Sequence, residues 1–425
     1  MLQAMSLYED LALEGGGAKG VIYLGVAKAL QKLGVLKDLD AISGASAGAI
    51  SALVLATGWP YEKMRKILDG LDFEKMASGG FFERLTAPIT GLREFGLHDG
   101  DAFYDFFKSI IKEITGNENA TFEDWHKYKL AHPELGLKDL SVQACNLNTR
   151  QNETFAWDSK NARVPIADAV RASMGFPGFF TPWKIKDPES GVVFLYSDGG
   201  LQKNCPSDVF EKVPGQFNPK VLSVKLETFD QIKYFDKGIP LPAKSIKTPL
   251  QCAVAQFEAA LNVQDNYFLS SPYKQHTILC DTLDIGTLQF DLTDNQKQAL
   301  EASGEYGVIR YFYQLHPELV EKKYADEPET LARIKGANFT ECFSEFLKTQ
   351  KPPAEPRSAR GEIKFGDTPS AFPLPDNVVA LHPPKSTTPL FHQWCNNESL
   401  KHECERLATL EACHTDKSKK VQIRH

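Results

Sequence analysis

Two glycine turns near the amino end of the chain constrain the fold more than any other feature. Residues 11–48, LALEGGGAKGVIYLGVAKALQKLGVLKDLDAISGASAG, predict a strand, a glycine turn, a helix, a short strand, a second glycine turn and a second helix. Short apolar runs that end in glycines are typical of buried parallel strands. Strands and helices continue to alternate along the chain, so we expect a layered α/β/α domain with a mainly parallel central sheet.

The second turn, GASAG, has the G-x-S-x-G pattern of a nucleophile elbow. Gly44 and Gly48 permit the sharp bend that presents Ser46 at the start of a helix. Ser46 is therefore a candidate nucleophile. The pattern alone is weak evidence, because small residues at these positions also allow a helix to pack closely on a sheet.

The first turn contains Gly15, Gly16, Gly17 and Ala18, and its backbone amides are able to bind an anion. It also contains the G-x-G-x-x-G pattern of dinucleotide sites. Such sites require an acidic residue at the far end of the second strand, where this chain has Ser46. A nucleotide site is therefore the weaker interpretation of this turn.

A third turn supplies a candidate general base. Residues 192–196 predict a strand that runs directly into Asp198, Gly199 and Gly200. A carboxylate at a strand end, followed by two glycines, faces an open backbone turn, as a catalytic group requires. Most Asp-Gly pairs are only turns, so Asp198 needs support from its surroundings.

A serine hydroxyl needs a positioned base, and the sequence leaves two arrangements open. In the first, Asp198 takes the proton from Ser46 directly. In the second, His276 completes a Ser-Asp-His triad. The early position of the elbow and the location of His276 at the start of a predicted strand favour the first arrangement.

Composition excludes several classes of protein. The 425 residues are 42% hydrophobic with a net charge of −7, so no overall basic field attracts nucleic acid, and we expect no nucleic-acid partner. Eight cysteines without a regular framework favour a reducing compartment. We see neither a signal peptide pattern nor an apolar run that could span a membrane. We expect a cytoplasmic protein, or one exported without a cleaved signal, that is not transmembrane.

The chain divides into four predicted segments. We expect a catalytic domain at residues 5–316, a helical extension at 317–350, a Pro-rich linker or arm at 351–390 and a small helical segment at 391–425. Histidines and cysteines in the last segment suggest a metal site, but their spacing fits a reduced helical tail better. We therefore expect no metal and no cofactor.

Two further segments of the predicted catalytic domain carry expectations. The glycine-rich apolar segment 79–100 is either a lid or lipid-facing loop, or a surface loop folded on the core. The segment 250–269 predicts a long amphipathic helix.

Several motifs together resemble the patatin-like phospholipases. GGGAKG is similar to the glycine-rich oxyanion turn of that family, GASAG to its nucleophile elbow and SDGG to its catalytic aspartate turn. ASMGFPGFFTP, GLHDGDAFYDFF and DGGLQKNCP, which includes Asn204 and Pro206, also match family segments in family order. Glu14 stands where the family often has aspartate, and Lys19 where it often has arginine. The resemblance covers residues 8–316.

The resemblance implies a serine lipid acyl hydrolase. Ser46 would be the nucleophile, Asp198 its base, and Gly15, Gly16, Gly17 and Ala18 the amide donors of an oxyanion hole. The substrate would be a phospholipid or lysophospholipid, reached by transient peripheral contact at host or internal membranes. The resemblance also implies a bacterial source. Some bacterial secreted members need a host factor, and three roles stay open for the Pro-rich arm and C-terminal helix: to cover the site, to dock a partner or to sense a protein activator. A non-catalytic membrane-binding scaffold with the same fold is the alternative.

Overall fold

The computed structural model describes residues 7–69, 96–243, 245–247 and 271–335, together with nine residues between 252 and 268. Predictions for residues 79–95, for 336–350, for the Pro-rich arm and for the 391–425 segment lie outside these described residues. The chain divides into two units, 1–357 and 358–425, and every element described below belongs to the first.

The described strands form one large sheet and one small pair. The strands are β1 (Asp10–Leu13), β2 (Ala41–Ala45), β3 (Gly96–His98), β4 (Asp139–Asn146), β5 (Gln151–Phe155), β6 (Gly178–Phe180), β7 (Trp183–Lys186), β8 (Val193–Asp198), β9 (Val221–Glu227) and β10 (Thr277–Asp281). The large sheet has the order β10-β9-β1-β2-β4-β8-β7, with β5 also paired to β4. β3 and β6 form the pair.

The centre of the large sheet is parallel. β10, β9, β1, β2 and β4 all run in one direction, while β5 and β8 pair antiparallel with β4. Leu11, Ala12 and Leu13 are fully buried, as expected for a strand covered on both faces. The expected α/β fold with a mainly parallel central sheet is confirmed.

Helices connect the strands and cover the sheet. The described helices are α1 (Ile22–Leu33), α2 (Ala47–Ala56), α3 (Tyr61–Asp69), α4 (Asp101–Thr115), α5 (Phe122–Ala131), α6 (Ile166–Ser173), α7 (Phe229–Lys237), α8 (Asp294–Leu315), α9 (Pro317–Lys323) and α10 (Pro328–Lys335). The described residues between 252 and 268 are helical too. Thr293 caps α8 in a capping box with Gln296, as its cap-like sequence predicts.

Helices α1 and α8 pack with their backbones in direct contact. A Cβ atom on Gly25 would lie 1.7 Å from the carbonyl oxygen of Glu301, and one on Gly304 would lie 2.1 Å from that of Ile22. Glycine is therefore required on both sides of the contact. The contact fixes α1, and with it the glycine turn that precedes α1, against the C-terminal part of the described chain.

Candidate active site

Strand β4 brings the ends of β2 and β8 together. β2 pairs with β4 up to Ala45, which lies opposite Gln143, and β8 pairs with the next residue of β4, where Asp198 lies opposite Ala144. Because Ser46 directly follows Ala45, this register places Ser46 and Asp198 at the same level on the two strands that flank β4. The structure therefore brings together the two candidate catalytic residues, which are far apart in the sequence.

The serine elbow, residues 44–48, holds Ser46 in a strained conformation. Ser46 has φ 54° and ψ −126° at the start of α2, a region that L-residues rarely adopt and that costs about 1–3 kcal/mol. A Cβ on Gly44 would lie 2.2 Å from the carbonyl oxygen of Gly48, and one on Gly48 would lie 2.3 Å from that of Leu13. The elbow thus requires both glycines.

The backbone of the elbow also has a side-chain partner. The amide of Ser46 donates to Ser173 Oγ at 2.9 Å, and Ser173 is fully buried at the end of α6. Ser173 lies in the ASMGFPGFFTP motif, but the sequence did not predict a role for it. The hydrogen bond from the Ser46 amide to Ser173 stabilises the strained serine from outside the serine elbow.

Asp198 is a buried carboxylate with one oxygen left for chemistry. The side chain is 2% exposed, and its Oδ1 accepts from the amide of Gly200 at 2.8 Å. Its Oδ2 is buried and has no partner with ordinary hydrogen-bond geometry in the described part of the chain. Burial raises the pKa of Asp198 to about 6, against the opposing effects of the Ser46 hydroxyl and the Gly200 amide.

The aspartate turn, residues 198–204, is held by side chains from distant parts of the chain. Gln264 donates from Nε2 to the carbonyl oxygen of Gly200 at 2.8 Å and accepts at Oε1 from the amide of Asn204 at 2.7 Å. A Cβ on Gly199 would lie 2.1 Å from the carbonyl oxygen of Gln143, so the turn presses against β4. The sequence offered no signal for Gln264, which is one polar residue in a long predicted helix.

Two amides of the glycine turn, residues 15–18, are already in use. The amide of Gly15 donates to the carbonyl oxygen of Asn204 at 3.0 Å, and that of Ala18 to the carbonyl oxygen of Thr287 at 2.9 Å. The amides of Gly16 and Gly17 make no hydrogen bond within the described residues. Of the four predicted donors, Gly16 and Gly17 are thus the two available to a ligand.

Glu14 anchors the glycine turn to β9. Its Oε2 accepts from the amide of Leu226 at 2.7 Å, and its Oε1 forms a buried ion pair with Lys225 and accepts from Asn204 Nδ2 at 3.2 Å. Asn204 therefore links the glycine turn to the aspartate turn. Lys225 is 1% exposed, and a single lysine in the apolar strand VLSVKLE is the signal that could have predicted a buried partner.

Two cavities meet at Ser46. The apolar cavity, about 280 Å³, is lined mainly by hydrophobic side chains from residues 21–24, α2, residues 174–180 and the 288–292 segment. The polar cavity, about 500 Å³, also contains the glycine turn, Asp198 and Asn204. An ester with an apolar acyl chain on one side and a polar group on the other matches this division.

His276 lies away from this site. It contacts the rings of Tyr8 and Phe217 with centroid separations of 5.9 and 5.1 Å, and it does not line either cavity. It precedes β10 at the amino edge of the parallel strands, whereas Ser46 follows the carboxyl end of β2. Burial lowers the pKa of His276. The geometry thus separates His276 from the serine.

Other side chains of the described part add little to the site. Among the described residues, no group of three or more histidine, cysteine or acidic side chains could hold a metal ion. The cysteines in the described part of the chain are free thiols; they are Cys145, Cys205, Cys252 and Cys280. None of the helices in that part is both long and apolar enough to cross a membrane.

Curated proteins similar to this chain include bacterial ones. One is an uncharacterised protein, YqhO, of Bacillus subtilis, which is 25% identical over 70% of this chain and 96% of its own length. Another is a cGAMP-activated phospholipase of Escherichia coli, 26% identical over 49% of this chain and 57% of its own length. Among solved structures, VipD from Legionella pneumophila is similar with a TM-score of 0.45 and 19% identity, covering 72% of this chain and 67% of VipD.

The model of one family matches the part of the chain that carries both glycine turns and Asp198. That model is described as patatin-like phospholipase, and it matches residues 11–210. The match supports lipid hydrolase activity in general. It ends before β9 and β10, although both strands belong to the same sheet. Residues 11–210 therefore belong to the patatin-like phospholipase family.

Proposed function

We propose that this protein is a serine hydrolase that cleaves acyl esters of phospholipids or lysophospholipids with Ser46 and Asp198. The observation that carries the proposal is the pairing of β4 with both β2 and β8, which aligns a strained serine with a buried carboxylate. The two cavities that meet at Ser46 support a lipid ester as substrate, because one is apolar and the other is polar.

The reaction proceeds through an acyl-enzyme. Asp198 accepts the hydroxyl proton while Ser46 Oγ bonds to the ester carbonyl carbon. The amides of Gly16 and Gly17 stabilise the resulting oxyanion, since they are the members of the glycine turn without a hydrogen-bond partner in the described chain. The C–O bond to the alcohol then breaks, and Asp198 returns the proton to the leaving oxygen.

Water completes the cycle. Asp198 takes a proton from a water molecule as that water attacks the acyl carbon. The second tetrahedral intermediate then breaks the bond between the acyl carbon and Ser46 Oγ, releases the fatty acid, and Asp198 returns the proton to Oγ. The raised pKa of about 6 suits this role, because Asp198 is a stronger base than an ordinary carboxylate and is still mainly ionised at neutral pH.

Fatty-acid release from phosphatidylcholine vesicles tests the proposal. We expect turnover by the wild-type protein and a loss of at least about 10³-fold in Ser46→Ala and Asp198→Asn variants that remain folded. Acyl-enzyme trapping with a fluorophosphonate should label the wild type and not Ser46→Ala. Equal release by folded variants would refute the proposal and favour the non-catalytic scaffold.

A further variant separates the dyad from the triad. We expect His276→Ala to retain turnover within a few-fold, because His276 contacts aromatic rings outside both cavities. Loss of turnover in a folded His276→Ala protein would instead favour the triad.

An activator and a membrane surface belong to the same proposal. We expect the protein to contact membranes transiently and to depend on a protein activator, as the family resemblance implies. Comparing the full chain with a variant lacking residues 351–425, each with and without cell extract, tests whether that C-terminal region mediates the dependence.

A further inference from the structure

The polar cavity beside Ser46 is strongly acidic. Six carboxylates and one lysine, Lys19, are among the residues that line it. The carboxylates are Glu14, Asp198, Glu227, Asp230, Glu258 and Asp284. A cavity with this charge favours a ligand that carries positive charge and disfavours an anionic one.

Three of these carboxylates form ion pairs with two lysines. Glu14 and Glu227 share the buried Lys225, with Lys225 Nζ lying 3.1 Å from Glu227 Oε1. Asp230 pairs with Lys233 at 3.2 Å. The two lysines compensate two of these three charges, so this group contributes one negative charge to the cavity.

Two others, Glu258 and Asp284, have no ion-pair partner within the described residues. Glu258 is half-buried in the helical stretch that also carries Gln264, and Asp284 lies in the loop between β10 and α8. They face one cavity from two different elements. Their charges are therefore available to a ligand in that cavity.

The loop that carries Asp284 is strained and fixed to the glycine turn. Leu283 and Asp284 have φ of 55° and 58°, a left-handed conformation that is costly for leucine and better tolerated by aspartate. The carbonyl oxygen of Thr287, later in the same loop, accepts the amide of Ala18. The exposed Asp284 lines the cavity that holds the glycine turn.

The same cavity contains the candidate general base. Asp198 lines it, is 2% exposed, and has an Oδ2 atom without a hydrogen-bond partner of ordinary geometry in the described chain. Lys19 also lines the cavity and forms no ion pair among the described residues. One cation together with unpaired carboxylates is complementary to a zwitterion.

We propose that the polar cavity recognises the ammonium group of a zwitterionic phospholipid headgroup through Glu258 and Asp284, and thereby selects choline or ethanolamine lipids over anionic ones. The inference rests on the proposed function for its reaction but concerns the headgroup, which that function leaves open. In such a lipid the phosphate lies a few bonds from the cleaved ester and the ammonium group lies further along, so Lys19 would serve the phosphate and the two carboxylates the ammonium group.

Dissolved short-chain lipids test the selection without interference from membrane charge. The substrates are diheptanoyl phosphatidylcholine and diheptanoyl phosphatidylglycerol below the concentrations at which they aggregate, with p-nitrophenyl heptanoate as an ester that lacks a headgroup. We expect wild-type kcat/KM to be about tenfold or more higher for the choline lipid, which corresponds to about 1.4 kcal/mol. Glu258→Gln combined with Asp284→Asn should lower that ratio about fivefold or more, mainly through KM.

A matched control removes the same number of charges elsewhere. Glu134 and Glu189 are exposed and line neither cavity, so Glu134→Gln combined with Glu189→Gln should keep the wild-type ratio. Equal or faster cleavage of the glycerol lipid by the wild type, with p-nitrophenyl heptanoate cleaved normally, would overturn the headgroup inference and leave the proposed function intact.

Binding to the Ser46→Ala variant gives a measurement that does not depend on turnover. Calorimetry with the same two dissolved lipids should show about tenfold tighter binding of the choline lipid. If no ester is cleaved but this preference is found, the proposed function fails and the headgroup inference stands. Equal affinities for the two lipids would overturn the inference.

Discussion

The serine elbow and the aspartate turn both place one catalytic candidate, but they are held by different means. In the elbow, backbone atoms of Gly44, Gly48 and Leu13 lie so close that Cβ atoms would collide with carbonyl oxygens. The aspartate turn shares one such contact at Gly199, and it also depends on the side chains of Gln264 and Asn204.

Positioning by backbone contact can be recognised in a sequence, whereas positioning by a distant side chain cannot. Backbone contact restricts residue type at fixed spacing, so the elbow is recognisable as a short motif. A side-chain hydrogen bond from Gln264 restricts geometry but leaves no local pattern, since its partners, Gly200 and Asn204, are about 60 positions away in the chain. Substitutions in the two turns should therefore fail in different ways.

The largest expected effect is at Gly48. Gly48→Ala would place Cβ 2.3 Å from the carbonyl oxygen of Leu13 and 2.7 Å from that of Glu14, where neither backbone can yield without moving β1. We expect a loss of about 2–4 kcal/mol in the free energy of unfolding, together with loss of turnover. Urea denaturation followed by circular dichroism measures it.

Gly286→Ala is the control for this measurement, because its nearest contact would be an ordinary 3.7 Å to Gln289. We expect Gly286→Ala to lower the free energy of unfolding by less than about 1 kcal/mol. A Gly48→Ala protein as stable as Gly286→Ala would show that the elbow is not held by backbone contact.

A smaller effect, on turnover alone, is expected at Gln264. Gln264→Ala removes both hydrogen bonds to the aspartate turn, so Asp198 should lose its alignment while the sheet remains intact. We expect kcat to fall about 10–100-fold with little change in melting temperature. Gln264→Glu, which keeps an acceptor for the Asn204 amide, should recover part of the loss.

Gln256→Ala provides the matched comparison in the same helical stretch. Gln256 is exposed and donates from Nε2 to Cys252 Sγ at 3.4 Å, away from the aspartate turn. We expect wild-type kcat. Equal losses at both glutamines would mean that the helical stretch, rather than the Gln264 contacts, supports the turn.

The smallest expected effect is a pH dependence that originates in Asp198. Its pKa is raised to about 6, so kcat/KM should rise as pH increases through about 6 and level off above about 7, as the carboxylate becomes ionised. A pH–rate profile with p-nitrophenyl heptanoate measures this. A midpoint near 4 would indicate that Asp198 is not buried during turnover.

The contribution of Asp198 to the free energy of unfolding should fall as pH increases, in the opposite sense to kcat/KM. A carboxyl group whose pKa is raised by folding contributes stability below its unfolded pKa of about 4, and that contribution is lost as pH rises through about 6. Asp198→Asn removes the buried charge, so at pH 8 it should unfold no earlier than the wild type. A lower melting temperature for Asp198→Asn at pH 8 would contradict this account.

The fold was largely predictable because it depends on local patterns. Apolar runs ending in glycines predicted β1 and β2, the cap-like sequence predicted the start of α8, and the strand before Asp198 was expected within two residues of its ends. The alignment of Ser46 with Asp198 was not predictable from these patterns, since it depends on the register of β8 against β4.

The sequence could not identify which amides of the glycine turn are available to a ligand. Four consecutive amides look equivalent in the sequence, yet those of Gly15 and Ala18 donate to the carbonyl oxygens of Asn204 and Thr287. The loop that contains Thr287 carries no motif, because its function depends on backbone angles and on a contact with residues about 270 positions earlier. Tertiary contacts therefore decide which amides can serve the site.

The position of β1 between β2 and β9 determines how short a folded fragment can be. A fragment that ends at residue 210, where the family match ends, would retain every motif but lose β9, β10 and α8. β1, whose residues 11–13 are fully buried, would then become a bare apolar edge open to pairing with other chains. Expression of the motif-bearing segment alone should yield aggregates, so the smallest useful fragment extends through α8, to residue 315 at least.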